Sequence, residues 1–328
     1  MTNKLTRWGL LGTSFISETM VSAIQASSSS EALAIASRTQ ENANRFADRF
    51  SIPKRYSDFD ALLADNDIDV VYIGLPNHLH KEWIIRAAIA GKHILCEKPL
   101  VLTSEEAQEV TATVHKHNVI CMEGLMYRSH PLTKKLESLL DSNTIGDAKL
   151  YQATYTANIA NLANPTAGGS IRNLGCYPVS LIRLLTKAEP TEIRALGTLD
   201  PATNNDTHAS IMMKFPYHAM ATVTTSDSLE MFWQFEIHGT QGHLKVITNP
   251  WLPTQERNII LIKRHDEADV QEINVTANQP LFTYQVDVMR QRIVRQPDPR
   301  DAGITLADSA GNVAVLEKWI HQIQTVSE

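Results

Sequence analysis

The chain has 328 residues, with 30 Lys and Arg against 36 Asp and Glu, a formal net charge of −6, and 43% hydrophobic residues. This length is about twice that of one domain, so it favours two domains, and the apolar content argues against a disordered chain. The acidic balance argues against a nucleic-acid partner. No stretch approaches the roughly 20 apolar residues of a bilayer span, so no membrane partner is expected either. The three cysteines are widely spaced and predict neither a disulfide framework nor a zinc site, which favours a cytoplasmic protein.

The first 124 residues alternate short apolar runs with runs of helical periodicity. We predict strands at 6–11, 31–37, 69–73, 93–97 and 119–123, and helices at 16–26, 40–50, 57–63, 79–90 and 104–117. Ser57 is the expected cap of the short helix, and Thr103 with Glu106 forms a capping box for the last one. The alternation of strand and helix predicts a doubly wound parallel sheet, the α/β Rossmann fold, over residues 1–124.

Beyond residue 124 the predicted strands follow one another with few helices between them. Strands are expected at 148–158, 192–199, 207–215, 218–225, 231–238, 243–248, 258–263 and 270–275, and helices at 131–141, 175–186, 282–295 and 303–325. Successive strands without intervening helices are typical of an antiparallel sheet. Residues 125–328 are therefore predicted to form a second, α+β domain with a large, mostly antiparallel sheet.

The turn after the first strand resembles a dinucleotide-binding turn. It reads Gly12-Thr13-Ser14-Phe15-Ile16-Ser17, which keeps the first glycine of G-x-G-x-x-G/A but has serine at the second and third glycine positions. The helix N-terminus near Phe15 would supply further donors to a pyrophosphate. Glycine turns are common in α/β folds, so the motif alone is weak, and its position between strand and helix strengthens it.

The residues at the end of the second strand indicate whether NAD or NADP is the cofactor. An NAD site would have Asp or Glu here for the ribose 2′-hydroxyl, whereas the chain has Ser37-Arg38-Thr39. No carboxylate is present to repel a 2′-phosphate, and the Arg38 guanidinium matches that group. We therefore predict NADP(H) as the preferred cofactor and NAD(H) as the alternative. A solvated arginine at a helix start is the plain interpretation of Arg38.

Further motifs agree with one known family. Glu97-Lys98-Pro99 ends the strand 93–97, and Gly74-Leu75-Pro76-Asn77-His78-Leu79-His80 follows the strand 69–73. The other matching segments are Trp8-Gly9-Leu10-Leu11-Gly12-Thr13, Glu123-Gly124-Leu125-Met126-Tyr127-Arg128, Gly168-Gly169-Ser170 and Gly175-Cys176-Tyr177-Pro178. With these motifs the chain resembles the Gfo/Idh/MocA oxidoreductases over nearly its whole length, and in particular their branch of NADP-dependent dihydrodiol and D-xylose dehydrogenases. The E-K-P element is the most specific of them.

The resemblance implies an architecture and partners. Members of this family pair a Rossmann domain with a substrate domain whose open antiparallel sheet commonly forms a dimer interface. A homodimer or higher oligomer is therefore expected, with residues 125–328 responsible for substrate binding and oligomerisation. The last helices, at about 300–328, are expected to pack back on the nucleotide domain. The implied small-molecule partner is a sugar or polyol.

The resemblance also implies the catalytic residues, Lys98 and Tyr177. Oxidation of a carbinol needs a base for the hydroxyl proton as hydride leaves carbon for the nicotinamide. A tyrosine beside an ammonium has its phenolate form favoured, so this pair suits the task. Taken singly, Lys98 would be a surface lysine and Tyr177 a core or interface aromatic residue.

The other expected site residues follow from the same motifs. Cofactor contacts are expected from Gly12, Thr13, Ser14, Phe15, Ile16, Ser37, Arg38, Leu75, Pro76, Asn77, His80, Glu97 and Lys98. Asn77 and His80 would line the nicotinamide side. His78 and His80 lack the further ligands of a metal site, so no metal is expected. Arg128 is expected near the substrate, with a structural salt bridge as its alternative.

One departure from the family pattern bears on activity. Asn173 stands where the family usually has aspartate, four residues before Tyr177. Asparagine accepts a hydrogen bond and can orient a sugar hydroxyl, so we expect it to contact the substrate. It carries no charge, however, and therefore cannot act as a base or balance Lys98.

The leading hypothesis is an NADP-dependent dehydrogenase that transfers hydride between nicotinamide and a carbinol of a sugar, cyclic polyol or dihydrodiol. A non-catalytic nucleotide-binding regulator of the same fold is the alternative, motivated by Ser14 and Asn173 and opposed by Lys98 and Tyr177. An inositol-type dehydrogenase is a third option. Tyr177 argues against it, because resemblance to the inositol-type enzymes would imply a histidine at this position.

Overall fold

The structure, a computed structural model, describes residues 4–162, 165–166, 168–294 and 303–326. The backbone contacts divide the chain into unit 1, Met1–Ser129 with Phe282–Leu306, and unit 2, His130–Leu281 with Ala307–Glu328. The chain thus leaves unit 1 after Ser129 and returns to it once. Of the range 300–328, expected to return to the nucleotide domain, residues 300–302 and 327–328 lie outside the described part.

Unit 1 contains a parallel sheet. Its strands are β1 (Thr6–Leu11), β2 (Ser30–Ala36), β3 (Lys54–Tyr56), β4 (Val70–Ile73), β5 (His93–Cys96) and β6 (Cys121–Glu123). Among the described residues they lie in the order β3-β2-β1-β4-β5-β6, with every neighbouring pair parallel. The order reverses between β1 and β4, and ligands of such sheets bind at the carboxyl ends of the strands beside this reversal. The predicted Rossmann fold is confirmed.

Helices connect the strands of this sheet. They are α1 (Phe15–Ala26), α2 (Gln40–Phe50), α3 (Phe59–Leu63), α4 (His80–Ile89) and α5 (Ser104–Lys116). Thr103 caps α5 as predicted, because its hydroxyl accepts a hydrogen bond from Glu106 N. The predicted cap of α3 at Ser57 is wrong by one residue, since the Asp58 carboxylate accepts from two amides of the first turn.

Unit 2 contains the second sheet. Its strands are β7 (Ala148–Thr156), β8 (Glu192–Leu199), β9 (Asp206–Lys214), β10 (Met220–Ser226), β11 (Phe232–Gly239), β12 (Gly242–Val246), β13 (Ile259–Arg264) and β14 (Gln271–Asn274). In the part of the chain described, their order is β14-β13-β12-β11-β7-β10-β9-β8. β7 and β10 run parallel and the other neighbours antiparallel. The predicted α+β domain with a mostly antiparallel sheet is confirmed.

One face of this second sheet is covered and the other faces outward. Along β9, Ala209, Ile211 and Met213 are buried, whereas Ser210 and Met212 are exposed, which is the period-two alternation of a half-buried strand. The pairing registers place further exposed apolar side chains on the outward face. They are Leu150, Leu196, Met220 and Phe232. The outward face is therefore the open face of the sheet.

The helices after β6 are divided between the two units. They are α6 (Pro131–Asp141), α7 (Cys176–Thr186), α8 (Leu281–Ile293) and α9 (Leu306–Val326). From α8, Val286 and Met289 join the unit 1 core around Trp8. In α9, Trp319 is fully buried, and a Cβ on Gly175, just before α7, would lie 3.1 Å from its ring. α8 therefore completes unit 1, and α9 supports α7 within unit 2.

Two further observations concern the described residues as a set. Among residues 4–162, 165–166, 168–294 and 303–326, the helices lack the combination of length and apolarity that crossing a bilayer requires. In those same ranges, no group of three or more His, Cys, Asp or Glu side chains is placed to hold a metal ion. Cys96, Cys121 and Cys176 are buried thiols outside any disulfide, and burial raises the pKa of Cys96 and Cys121, which keeps both protonated and unreactive.

Candidate active site

The glycine turn after β1 requires a residue without a side chain. Gly12 has a φ of +95°, and its amide donates to Ala36 O at 3.0 Å. A Cβ at this position would lie 2.9 Å from the side chain of Leu75 and 3.2 Å from Gly74 O. Glycine is thus fixed here both by conformation and by the close approach of the loop after β4.

Ser14 joins this turn to the loop after β4. It is the N-cap residue of α1, and its hydroxyl donates to Gly74 O at 3.1 Å and lies 3.1 Å from Ser17 Oγ. The hydroxyl is thus used within the turn, and the amides at the start of α1 point outward from the N-terminus of the helix. Such amides are suited to an anion such as a phosphate. Phe15, the first residue of α1, is 74% exposed.

The end of β2 lies beside the same turn. The Ser37 amide donates to Tyr56 O at 3.0 Å on β3, and its hydroxyl is 3.5 Å from Thr13 Oγ1. Ser37 is buried, whereas Arg38, the next residue, is exposed just before α2. The guanidinium is therefore available to solvent at the edge of the predicted cofactor site.

His80 connects the loops that follow β4 and β5. It is 1% exposed, with Nδ1 2.9 Å from Pro99 O and Nε2 2.9 Å from Leu75 O. Burial lowers the pKa of His80, against the raising effect of these carbonyls. The neutral ring carries one N–H and donates to one of the two carbonyl groups. The His80 ring thus lies between the two loops and is hydrogen-bonded to one of them.

The E-K-P element lies at the carboxyl end of β5. Glu97 is buried, and its Oε1 accepts from the Tyr72 hydroxyl at 2.8 Å. Burial raises the pKa of Glu97, while the Lys98 ammonium and the Tyr72 bond act in the opposite direction. Lys98 is half-buried, and the Lys98–Pro99 peptide bond is cis. The lysine side chain therefore begins at the edge of the sheet where Gly12 and His80 also lie.

Arg128 lies beyond β6, in the single turn Met126–Ser129. It is 1% exposed, which is rare for arginine. A guanidinium so enclosed needs polar partners, and both of the predicted roles, substrate contact and structural ion pair, provide them.

Tyr177 belongs to unit 2 and is the second residue of α7. Residues Ile171–Gly175 form a π-turn, and α7 continues from Cys176; such turns occur frequently at functional sites. Tyr177 is 8% exposed, and its ring meets Tyr155 edge-on, with centroids 5.7 Å apart at 84°. Burial raises the pKa of Tyr155 to about 12. Sequence reasoning missed Tyr155, for which the only signal was its inward position on a predicted strand.

Asn173 has a local reason to be an amide. Its Nδ2 donates to Gly169 O at 2.8 Å, and its backbone amide reaches the same oxygen at 3.2 Å. An aspartate in this position has no N–H to donate and would place a negative charge against that carbonyl. The departure from the family aspartate therefore fits the turn that precedes α7.

The expected site residues thus fall into two groups. Unit 1 brings together the glycine turn, the end of β2, the loop after β4 and the E-K-P element at the carboxyl ends of its strands. Unit 2 brings Asn173 and Tyr177 together on consecutive turns. A dinucleotide fits the first group because the start of α1 offers amides to a phosphate beside the carboxyl ends of β1 and β4, where the strand order reverses.

Family models match both parts of the chain. Residues 6–125 match the model described as oxidoreductase family, NAD-binding Rossmann fold. Residues 133–245 match the model of the GFO/IDH/MocA C-terminal domain. Together the two segments make up most of the chain.

Curated relatives agree with these models. An uncharacterized oxidoreductase of Rhizobium meliloti is 36% identical over 259 residues, 77% of each chain. A D-xylose 1-dehydrogenase (NADP(+)) of Haloferax volcanii is 36% identical over 245 residues, 73% of this chain and 74% of the relative. A trans-1,2-dihydrobenzene-1,2-diol dehydrogenase of Xenopus tropicalis is 28% identical over 328 residues, 97% of this chain and 98% of the relative.

Solved structures show the same fold. A 3-ketoreductase from Actinomadura kijaniata, in complex with TDP-benzene and NADP, superposes with a TM-score of 0.85 at 26% identity over 98% of each chain. An aldose-aldose oxidoreductase from Caulobacter crescentus has a TM-score of 0.86 at 21% identity, which is a likeness of fold. As its motifs predicted, the chain belongs to the GFO/IDH/MocA oxidoreductase family, with an NAD-binding Rossmann fold.

Proposed function

We propose that this protein is an NADP-dependent oxidoreductase that transfers hydride between nicotinamide and a carbinol of a sugar, cyclic polyol or dihydrodiol. The observation that carries the proposal is Lys98, half-buried at the carboxyl end of β5 behind the buried Glu97. A lysine in this position lies where ligands of open α/β sheets bind, at the carboxyl ends of the strands. The activities of the D-xylose and dihydrodiol relatives support the substrate class.

The chain's own residues would hold the cofactor at the carboxyl ends of the unit 1 strands. Gly12, Thr13, Ser14, Phe15 and Ile16 would receive the pyrophosphate, because α1 begins here with its N-terminal amides and residues 12–16 are at least partly exposed. The exposed Arg38 would pair with a 2′-phosphate, since Ser37 and Thr39 beside it carry no negative charge. NADP is therefore preferred to NAD.

The loops after β4 and β5 would receive the nicotinamide side. Leu75, Pro76 and Asn77 belong to the first loop and Glu97 to the second, and the buried His80 ring packs between these loops, hydrogen-bonded to one of them. His80 would thus serve the cofactor by holding these loops, since both nitrogens already face backbone carbonyls. Bound nicotinamide supplies the hydride acceptor or donor.

Tyr177 and Lys98 would handle the proton of the carbinol. In the oxidative direction Tyr177 takes the hydroxyl proton as hydride leaves carbon, and an ammonium near the phenol favours its phenolate form. Tyr155 is a poor alternative base, because its pKa of about 12 keeps it protonated at neutral pH. Asn173 and Arg128 would contact the other hydroxyl groups of the substrate.

The test is turnover with a substrate panel. NADPH production is followed with aldoses, inositols and dihydrodiols, and the reverse reaction with NADPH and the matching ketones or lactones. Robust NADP-dependent turnover of at least one carbinol substrate is expected. NADP binding without turnover on the whole panel would favour the non-catalytic regulator and reject the enzymatic proposal.

We also propose that a second copy of the chain covers the open face of the unit 2 sheet. That face carries exposed apolar side chains on β7, β8, β9, β10 and β11. Glu236 and Lys245 lie on the same face as an ion pair, with Glu236 Oε1 2.8 Å from Lys245 Nζ, so this pair adds no net charge to the face. Light scattering should show a dimer or higher oligomer that Met212→Glu dissociates. A wild-type monomer at all concentrations would reject this interface.

A cytoplasmic location is proposed on the state of the cysteines. None of the described residues Cys96, Cys121 and Cys176 forms a disulfide. Proteins of oxidising compartments commonly pair their cysteines in disulfides, whereas free buried thiols are usual in a reducing compartment. Fractionation of the native cells, followed by immunodetection, tests this directly.

A further inference from the structure

The motif Gly168-Gly169-Ser170 has no part in the cofactor chemistry above. It precedes the π-turn Ile171–Gly175, which carries Asn173 and leads into α7 with Tyr177. Gly169 has a φ of +95°, a conformation that favours glycine. This turn therefore needs contacts from elsewhere in unit 2 to hold it in one conformation.

The carboxylate of Asp206 fixes the turn from the opposite side. Asp206 is the first residue of β9 and is 4% exposed. Its Oδ2 accepts from the Ser170 hydroxyl at 2.6 Å and from the Ile171 amide at 2.7 Å. Hydrogen bonds to a carboxylate are among the strong ones in proteins. Asp206 thus binds both the side chain and the backbone at the start of the π-turn.

The approach of Asp206 also explains the glycine. A Cβ on Gly169 would collide with Asp206 Oδ1. The positive φ and the contact with the carboxylate therefore require glycine at the same position for two independent reasons. Thr225 of β10 adds a bond from its hydroxyl to Ser170 O at 3.3 Å, so two strands of the sheet hold the turn.

The bonds continue from this turn to Asn173. Gly169 O is the acceptor for Asn173 Nδ2 at 2.8 Å and for the Asn173 amide at 3.2 Å. The orientation of the Asn173 side chain therefore depends on the position of Gly169, which Asp206 fixes by contact. Tyr177 follows Asn173 by one turn of the same continuous helical segment.

We propose that Asp206 is a positioning residue for this protein's reaction. Its carboxylate holds the turn 168–171 and through it sets the Asn173 amide and the Tyr177 ring in the orientation that the carbinol requires. The inference rests on the proposed function for its catalytic consequence only. The structural part, that one carboxylate orders residues 169–177, stands without any knowledge of the substrate.

Hydrogen–deuterium exchange tests the structural part. Asp206→Ala should speed exchange of the amides in 170–177 by about tenfold or more, as expected for the loss of a charge-assisted hydrogen bond. Asp206→Asn should stay near the wild type, because its amide oxygen can accept the same two bonds. Asp200→Ala is the matched control, since Asp200 instead caps a turn at Ala202 and Thr203 in the β8–β9 connection.

Kinetics test the catalytic part. With a substrate found by the panel, Asp206→Ala should lower kcat/KM for the carbinol by about tenfold or more, while the Kd for NADPH stays within about twofold. Asp206→Asn should recover most of the lost kcat/KM. A merely structural role would instead weaken NADPH binding and thermal stability together. Ser170→Ala, which removes one donor only, provides a milder variant should Asp206→Ala fold poorly.

The outcomes separate this inference from the proposed function. Unchanged exchange in both Asp206→Ala and Ser170→Ala would overturn the inference even if the wild type is an active dehydrogenase. Increased exchange in Asp206→Ala together with a kcat/KM equal to that of the wild type would overturn the positioning role of Asp206. An inactive wild type with increased exchange in Asp206→Ala would reject the enzymatic proposal while supporting the control of the turn by Asp206.

Discussion

The candidate cofactor residues of unit 1, called here the cofactor half, and the candidate substrate residues of unit 2, the substrate half, are fixed by different kinds of interaction. In unit 1 the ends of neighbouring parallel strands bring Gly12, Leu75 and Glu97 together, and most of the connecting bonds involve the backbone. In unit 2 the segment with Asn173 and Tyr177 is held by a side chain from a distant strand, Asp206. The cofactor half thus follows from the fold class, whereas the substrate half depends on individual long-range contacts.

This difference predicts how each half responds to substitution. Changes in the cofactor half should alter binding or chemistry without disturbing the backbone, because the parallel sheet fixes the loops. Changes in the substrate half should alter local order as well as rate, because side chains of Asp206 and Thr225 hold the turn at 168–171. The following substitutions examine the contrast, from the largest expected effect to the smallest.

Lys98→Met should have the largest effect on rate. Removing a group that assists proton transfer typically lowers kcat by about 10²- to 10⁴-fold, while methionine keeps most of the side-chain volume. NADPH binding should change little, since the phosphates are held elsewhere. Stopped-flow turnover and fluorescence titration measure the two quantities. Lys81→Met on α4, a partly exposed lysine paired with Glu109, is the control, and an unchanged kcat in Lys98→Met would remove this lysine from the chemistry.

Arg38→Ala should affect cofactor choice rather than chemistry. Loss of a charge-assisted bond to the 2′-phosphate should raise the Kd for NADP by about 10- to 100-fold, whereas the Kd for NAD should change by less than about threefold. Calorimetric titration with both nucleotides measures this. Arg45→Ala, an exposed arginine on α2, should leave both constants unchanged. Equal weakening of both nucleotides by Arg38→Ala would reject the 2′-phosphate contact.

Asp227→Asn should stabilise unit 2 in a pH-dependent way. Asp227 is 4% exposed, and its Oδ1 has no hydrogen-bond partner among the described residues. Burial and the charge of Asp206 raise the pKa of Asp227 to about 6, well above the usual value of a carboxyl group. The native state thus binds this proton more tightly than the unfolded chain, so stability falls as pH rises through about 6.

Replacing this carboxylate removes the cost of its ionised form. The free energy of unfolding should rise by about 1–3 kcal/mol at pH 8 and by less at pH 5. Urea denaturation of wild type and Asp227→Asn at the two pH values measures the difference. A gain of equal size at both pH values would show that the ionisation of Asp227 is not the cause.

Tyr155→Phe should have the smallest effect. The phenylalanine ring keeps the edge-on contact with Tyr177 and the packing on Trp251, and the lost hydroxyl is protonated at neutral pH. We expect less than about a tenfold change in kcat, against about 10²- to 10⁴-fold for Tyr177→Phe. Steady-state kinetics of the two variants compare them directly. The opposite order would identify Tyr155 as the proton-transfer residue.

Much of the fold could be predicted from the sequence, because its signals are local. Hydrophobic periodicity predicted most strands and helices, and Thr103 predicted the start of α5. β3 was missed because three residues, paired only with β2, are too few to show a period. The cap of α3 was misassigned because Ser57 and Asp58 are both good capping residues in adjacent positions.

The substrate half was less predictable for a physical reason. Asp206 lies 35 residues beyond Ile171 in the sequence, and its contact with the turn depends on how β9 pairs in the sheet. The contact of Tyr155 with Tyr177 likewise forms only when β7 packs against α7 in the folded chain. Motifs such as Gly168-Gly169-Ser170 signal that a constraint exists, but the residue that imposes it becomes visible only in the folded chain.

The most direct test of the account is a crystal structure of the ternary complex with NADP and a substrate identified by the panel. The distance from Tyr177 Oη to the reacting hydroxyl oxygen is the decisive quantity. We predict about 2.6–3.2 Å, with the Lys98 ammonium within hydrogen-bond reach of one of these two oxygens. A substrate bound productively against the nicotinamide, with Tyr177 Oη more than about 5 Å from its hydroxyl and no water between them, would contradict the account.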